Sequence, residues 1–243
     1  MNKPEFPVGL LGAAADERVA VVPGSARWMR STVPGVDRMP LDPAGDESGR
    51  FTGFLRFARG SRLPEREPTA GEEMLVLAGH LSDERGRHRA GTYLRNPPGS
   101  SPALHSPSGC TLFVKLGQFP AGDLGSHLVD TRRRRWARES SDQASEMPLH
   151  FFGTECTRLL HWRAGIGGAP VQHPGGAEIV VLDGDFADEH GSYPSGTWMR
   201  LPAGAWHRPR AGRRGVLVWM KAGHLPAAST DLDVPDRTAE AVA

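Results

Sequence analysis

Apolar residues fall in short runs rich in β-branched and aromatic side chains, each bounded by glycine, proline or aspartate. Phe54 to Ala58, Glu73 to Leu77, Thr92 to Arg95 and Thr111 to Leu116 read as strands, with turns at Arg59-Gly60, Asp83 to Gly86 and Pro97-Pro98-Gly99. Further along, Cys156 to Trp162, Glu178 to Leu182, Thr197 to Arg200 and Val216 to Lys221 read the same way. Period-two alternation in the first of these puts Thr157, Leu159 and His161 on one face and Cys156, Arg158, Leu160 and Trp162 on the other. Helical periodicity is nearly absent. The 30 Gly and 21 Pro punctuate the runs without forming a low-complexity tract, the pattern of an all-β sandwich or barrel. The longest apolar stretches are far shorter than the roughly 18 residues of a spanning helix, so no membrane partner is expected.

The chain repeats itself. A shift of 105 positions lays the segment starting at Gly71 on that starting at Gly176, and 11 of 25 positions are identical: Gly71, Glu73, Val76, Leu77, Gly79, Asp83, Glu84, Gly86, Gly91, Thr92 and Arg95 match their partners. Upstream, Trp28 and Met39-Pro40-Leu41 recur at the same internal spacing as Trp136 and Met147-Pro148-Leu149. A period this long signals two similar domains, not a solenoid. The expected division is an extension over 1–24, a first domain over 25–120, a linker over 121–132, a second domain over 133–225 and a tail over 226–243. Gly79 and its partner Gly184 are expected to end a strand at a sharp turn with positive φ.

Charge narrows the function classes. Lys and Arg number 29 against 28 Asp and Glu, a net charge of +1, which excludes a generally polycationic nucleic-acid binder. The Arg132 to Arg135 run reads as a solvated linker face. The N-terminus lacks a signal-peptide pattern, so a cytoplasmic location is expected. Two cysteines, Cys110 and Cys156, are too few for a disulfide framework or a four-thiolate zinc site. No Walker-type phosphate loop, nucleophile elbow or zinc-finger spacing is present.

The residues around Glu72-Glu73, Gly79, Ser82-Asp83-Glu84, Gly91-Thr92-Tyr93-Leu94-Arg95, Asn96 to Ser101 and Gly109 to Leu116 closely resemble the cupin domain of ChrR-type anti-sigma factors. The resemblance covers about 200 residues in two copies. It implies two tandem antiparallel jelly-roll barrels, a bicupin, akin to small mononuclear dioxygenases such as those acting on acetylacetone and dihydroxyacetophenone. In ChrR a zinc-binding helical domain precedes the cupin and contacts the sigma factor. This chain begins almost at the first repeat, so direct sigma-factor inhibition is not expected.

Metal-binding members of the family use a His-x-His pair, a Glu four residues later and a further His after the Gly-Thr-aromatic strand. Carried over position by position, the first copy has Arg66, Pro68, Glu72 and Pro102, and the second has Val171, His173, Ala177 and His207. The first copy is therefore expected to be metal-free. The second keeps two imidazoles, His173 and His207, as candidate ligands for one divalent ion of Zn, Fe, Ni or Mn. Glu178 neighbours the vacant carboxylate position but should point away from the barrel. His161, Trp198, Trp206 and Trp219 are candidate pocket residues beside this pair, and Arg66 is expected to turn inward onto Glu72 in place of the lost metal charge.

Two function classes follow. One is a small-molecule-binding, sensory or structural bicupin with a degenerate metal site. The other is a metal-dependent dioxygenase or isomerase active in the C-terminal barrel, for which no catalytic residue is assigned. A small-molecule ligand is the expected partner. The two domains are expected to pack about an approximate two-fold axis, with a homodimer as a further level of assembly.

Overall fold

The alternating runs fold into antiparallel strands, and the two halves lay them out in the same order. The computed structural model describes residues 16–42, 50–63, 69–138 and 144–226. Among them are strands and turns but no helix, hence none long and apolar enough to cross a membrane. The main sheet of the N-terminal half runs His127–Asp130, Thr92–Asn96, Glu72–Asp83, Cys110–Leu116, Phe51–Phe57, Val36–Pro40, Met29–Arg30. That of the C-terminal half runs Val19–Val21, Trp198–Leu201, Ala177–Asp188, Arg210–Ala222, Glu155–Trp162, Ala144–Phe152, Ala137–Arg138. Each sheet curls on itself as a jelly-roll barrel, so the chain is a tandem of two cupin-type barrels.

The outermost strand of each sheet comes from the other half's leading segment. Val19–Val21, read from sequence as extension, pairs with Trp198–Leu201, placing Val19 opposite Arg200. His127–Asp130, read as linker, pairs with Thr92–Asn96, placing His127 opposite Arg95. Both exchanged strands are too short for a period-two signal, so their role appears only when an edge waits for them. The exchange covers two open edges and ties the barrels together.

Alternation along single strands builds three apolar layers. In Cys110–Leu116, Leu112 and Val114 pack inside the N-terminal barrel with Met74, Val76 and Leu94. In Arg210–Ala222, Val216, Val218 and Met220 pack inside the C-terminal barrel with Ile179, Val181 and Phe186. The intervening residues face outward, where Phe54, Leu75, Tyr93 and Phe113 meet Leu159, Val180, Trp198 and Trp219 in a layer shared by both halves. The Phe113 and Trp219 rings meet edge to face with centroids 4.8 Å apart. The expected face-to-face packing of the copies is this layer.

Buried charges cross the same layer in matched pairs. Lys115 donates to Glu178 in one direction, and Lys221 donates to Glu73 at 2.8 Å in the other. Glu73 also accepts from the Tyr93 hydroxyl at 2.6 Å and from Thr157 Oγ1 at 2.8 Å. Burial alone would raise the Glu73 carboxyl, but Lys221 and these hydroxyls outweigh it and hold it at about 2. Glu178 therefore points away from its own barrel, as alternation requires, and into the interface.

Gly79 and Gly184 take φ of 71° and 70° as expected, yet neither ends its strand. The strands Glu72–Asp83 and Ala177–Asp188 run past them with a shifted register, so each glycine sits just beyond a bulge. A Cβ on Gly184 would lie 2.0 Å from the Gly215 carbonyl oxygen, which explains why the bend takes glycine.

Candidate functional site

His173 ends the strand Val171–His173, and His207 ends Ala205–His207. These form a two-stranded ribbon with Val171 opposite His207 and His173 opposite Ala205. Alternation turns Trp206 out to solvent, 55% exposed, and His207 inward, 2% exposed. His173 is also buried. Their rings lie 5.1 Å apart, and the two Nε2 atoms face one another at 3.1 Å. The His207 ring meets Phe186, a core residue of the C-terminal barrel, so the pair sits against that barrel's interior.

A carboxylate missed by sequence reasoning fixes one of the rings. Asp188 Oδ2 lies 3.2 Å from His207 Nδ1. An ionised carboxylate only accepts, so Nδ1 carries the proton and Nε2 of neutral His207 presents its lone pair toward His173. Asp188 itself accepts from Arg18 and from the Tyr193 hydroxyl, the latter at 3.0 Å. Arg18 lies just before the exchanged strand Val19–Val21, so the N-terminal segment completes the buttress of the C-terminal site. Asp188 lies 105 positions after Asp83, and Tyr193 after His88, so the repeat carried the signal. In the N-terminal barrel Asp83 instead meets His88 at 2.6 Å and Arg85.

Both histidines are neutral at neutral pH. Burial pushes His173 down to about 4, reinforced by His207, Arg158 and Arg18. Burial also lowers His207, against the opposing pull of Asp188.

The other candidates fall elsewhere. Ala177, at the family's carboxylate position, is fully buried in the C-terminal barrel core. Trp198 and Trp219 belong to the layer between barrels and wall no pocket at the pair, because strand alternation turns them outward. His161 is exposed, with its ring 6.2 Å from Trp136, since its strand nears the sheet's end there. In the N-terminal barrel Glu72 is buried and accepts from Asn96 Nδ2 at 3.5 Å, and Pro102 is buried. Arg66 and Pro68 lie outside the described residues, and the expected Arg66–Glu72 ion pair with them. Among the described residues no group of three or more His, Cys, Asp and Glu side chains could hold a metal ion.

Two curled antiparallel sheets with the remnant of a cupin ligand set define a bicupin. The ChrR cupin-like domain family matches the chain twice, over residues 16–120 and 125–226, and the chain belongs to that family. The matches start ahead of the repeat read from sequence and take in both exchanged strands. No curated protein matches the chain. Among solved structures, a proposed dioxygenase from Nostoc punctiforme is similar with a TM-score of 0.69 at 13% identity, covering 88% of this chain and 86% of that one. Protein Ylba from E. coli has a TM-score of 0.68 at 11% identity, covering 91% and 97%. Oxalate decarboxylase of Bacillus subtilis has 0.59 at 11%, covering 91% and 81%. At these identities the likeness establishes the fold alone.

Proposed function

We propose that the chain is a non-catalytic bicupin that binds a small molecule in its C-terminal barrel, with His173 and His207 as the polar contacts. The observation that supports this reading is the donor set. Two neutral imidazoles face each other Nε2 to Nε2 at 3.1 Å, and Ala177 stands where the family has a carboxylate. Two imidazoles fall short of the three protein ligands that hold a catalytic zinc. At this spacing His173 Nε2–H donates to His207 Nε2, so a ligand carrying both a donor and an acceptor would part the pair and take over both bonds. Burial strengthens such bonds and makes an unmatched ligand costly. A cupin that holds a metabolite without turning it over fits a sensory role.

One observation supports a second reading, a metal-dependent dioxygenase or isomerase. A carboxylate on the far nitrogen, as Asp188 is to His207, commonly orients a metal-bound imidazole. Bonds of about 2.0–2.1 Å set nitrogens of neighbouring ligands about 3 Å apart, so the pair's spacing suits one shared ion. In that reading His173 and His207 hold Zn, Fe, Ni or Mn, which when bound would polarise a substrate oxygen.

Thermal unfolding of protein stripped of metal and freed of chelator, with metabolites or divalent metal ions added separately, distinguishes the two. With a panel of small metabolites, the proposal expects at least one to raise the melting temperature of the chain but not of the His173→Ala/His207→Ala variant. Stabilisation by divalent metal alone would reject it in favour of the second reading.

A further inference from the structure

A second histidine cluster lies at the junction where the linker strand enters the N-terminal sheet, and neither the barrel interiors nor the His173–His207 pair uses it. Asp123 Oδ2 lies 2.8 Å from His150 Nε2, and His150 Nδ1 lies 2.9 Å from His127 Nε2. Asp123 is anchored by Arg95 and by the Gly125 amide at 3.0 Å. His150 thus spends both ring nitrogens in a chain from carboxylate to His127. Because the carboxylate only accepts, His150 donates to it through Nε2–H, and its Nδ1 accepts from His127 Nε2–H. His127 is left with Nδ1 as a bare acceptor.

The fold does not require these histidines. The repeat relates His127 to Val19, since each opens an exchanged strand opposite the arginine common to both copies, Arg95 or Arg200. It relates Pro148-Leu149-His150 to Pro40-Leu41-Asp42. At the other end the carboxylate of Asp42 meets buried Arg200 at 3.1 Å. A carboxylate against the arginine is thus what the two ends share, and His150 and His127 are additions at one end.

Those additions line an open cleft of about 600 Å³ with Leu124, Phe151, Phe152 and Arg134. Leu124 and Phe151 are 72% and 59% exposed, unusual for large apolar side chains side by side. Among the described residues Asp123 is the one carboxylate lining the cleft, and Arg95 and His150 already satisfy it. Arg134 makes no ion pair among the described residues, so there the cleft combines apolar side chains with a cation.

We propose that this cleft binds a small monocarboxylate with an apolar or aromatic body, its carboxylate held by Arg134 and His127, and that binding takes up a proton at His127. The groups facing His127 are His150, Asp123, Arg95 and Arg134. Burial and then His150 and Arg95 lower its affinity for a proton, outweighing Asp123, so the free protein holds it neutral. An incoming carboxylate reverses that balance, and the proton added at Nδ1 becomes a charge-assisted donor. His150 and Asp123 position the ring and stabilise the added charge.

Phenylacetate is the probe. Calorimetric titration of the full chain in buffers of differing ionisation heat should show proton uptake at neutral pH. The dissociation constant should rise as pH increases, by up to about tenfold per unit above neutrality. His127→Gln should bind more weakly, without proton uptake and with a flat pH profile. Arg134→Gln, a change at an exposed side chain, should weaken binding at every pH while leaving the melting temperature unchanged. The His173→Ala/His207→Ala variant should bind phenylacetate as the wild type does, so this site and the C-terminal barrel fail or stand separately. No binding to the wild type, binding without proton uptake, or binding unaffected by Arg134→Gln would overturn the proposal.

Discussion

Lys115 of the N-terminal barrel and Glu178 of the C-terminal barrel form an ion pair in which both side chains are 1% exposed. Removing one partner of such a pair strands a charge, whereas removing both can be close to neutral. Lys115→Met should therefore cost about 3–5 kcal/mol in urea denaturation. Lys115→Met/Glu178→Leu should recover most of that loss. Equal losses in the single and double variants would show that the pair contributes attraction rather than merely avoiding an orphan charge.

Stability should fall with acid in two windows. His173 is lowered from 6.5 to about 4, so the unfolded chain takes up a proton first and stability declines between those values. Glu73 is lowered from 4.5 to about 2, so its contribution is full above 4.5 and disappears as pH falls to about 2. For this fully buried carboxylate the second loss is roughly 3 kcal/mol. His173→Gln should shrink the first window, leaving the part that His207 and the other lowered histidines contribute, and should leave the second unchanged. A denaturation series from pH 7 to 3 covers the first window and most of the second.

Trp219 joins the barrels, so its truncation should be felt by both. Trp219→Ala removes a 1% exposed ring packed on Phe113 and should cost about 3–5 kcal/mol. Circular dichroism should still report one cooperative transition, because the exchanged strands also link the halves. Two separated transitions in the wild type would contradict that coupling.

The bulge glycines are not equivalent to the turn glycines. Gly184→Ala would drive a Cβ into the Gly215 carbonyl, while Gly204, at φ 80°, has open space around it. Gly204→Ala should cost about 1 kcal/mol from backbone conformation alone, and Gly184→Ala clearly more. Melting temperatures of the two variants rank them.

Much of the fold was legible because the repeat compares the chain with itself: Gly71 to Arg95 on Gly176 to Arg200 disclosed two copies of one β-module. The same comparison held the buttress of the site, Asp188 as the partner of Asp83, but a lone acid in a turn sequence carries no mark of a histidine packed on it. Val19–Val21 and His127–Asp130 were illegible as strands because three or four residues have no period, and their pairing is set by distant edges. Trp198 and Trp219 looked like pocket walls since sequence tells that a strand has two faces, not which face meets a ligand and which meets another barrel. His127 and His150 lie 23 positions apart in sequence and meet only through the strand exchange.

Metal content tests most directly whether the His173–His207 pair is a ligand-binding remnant or a working metal site. The chain is purified without chelator, and Zn, Fe, Ni and Mn are quantified by mass spectrometry beside the His173→Ala/His207→Ala variant. With two imidazoles and Ala177 in place of a carboxylate, the wild type should carry far less than one ion per chain and should differ little from the variant. Near-stoichiometric metal in the wild type, lost in the variant, would contradict the account.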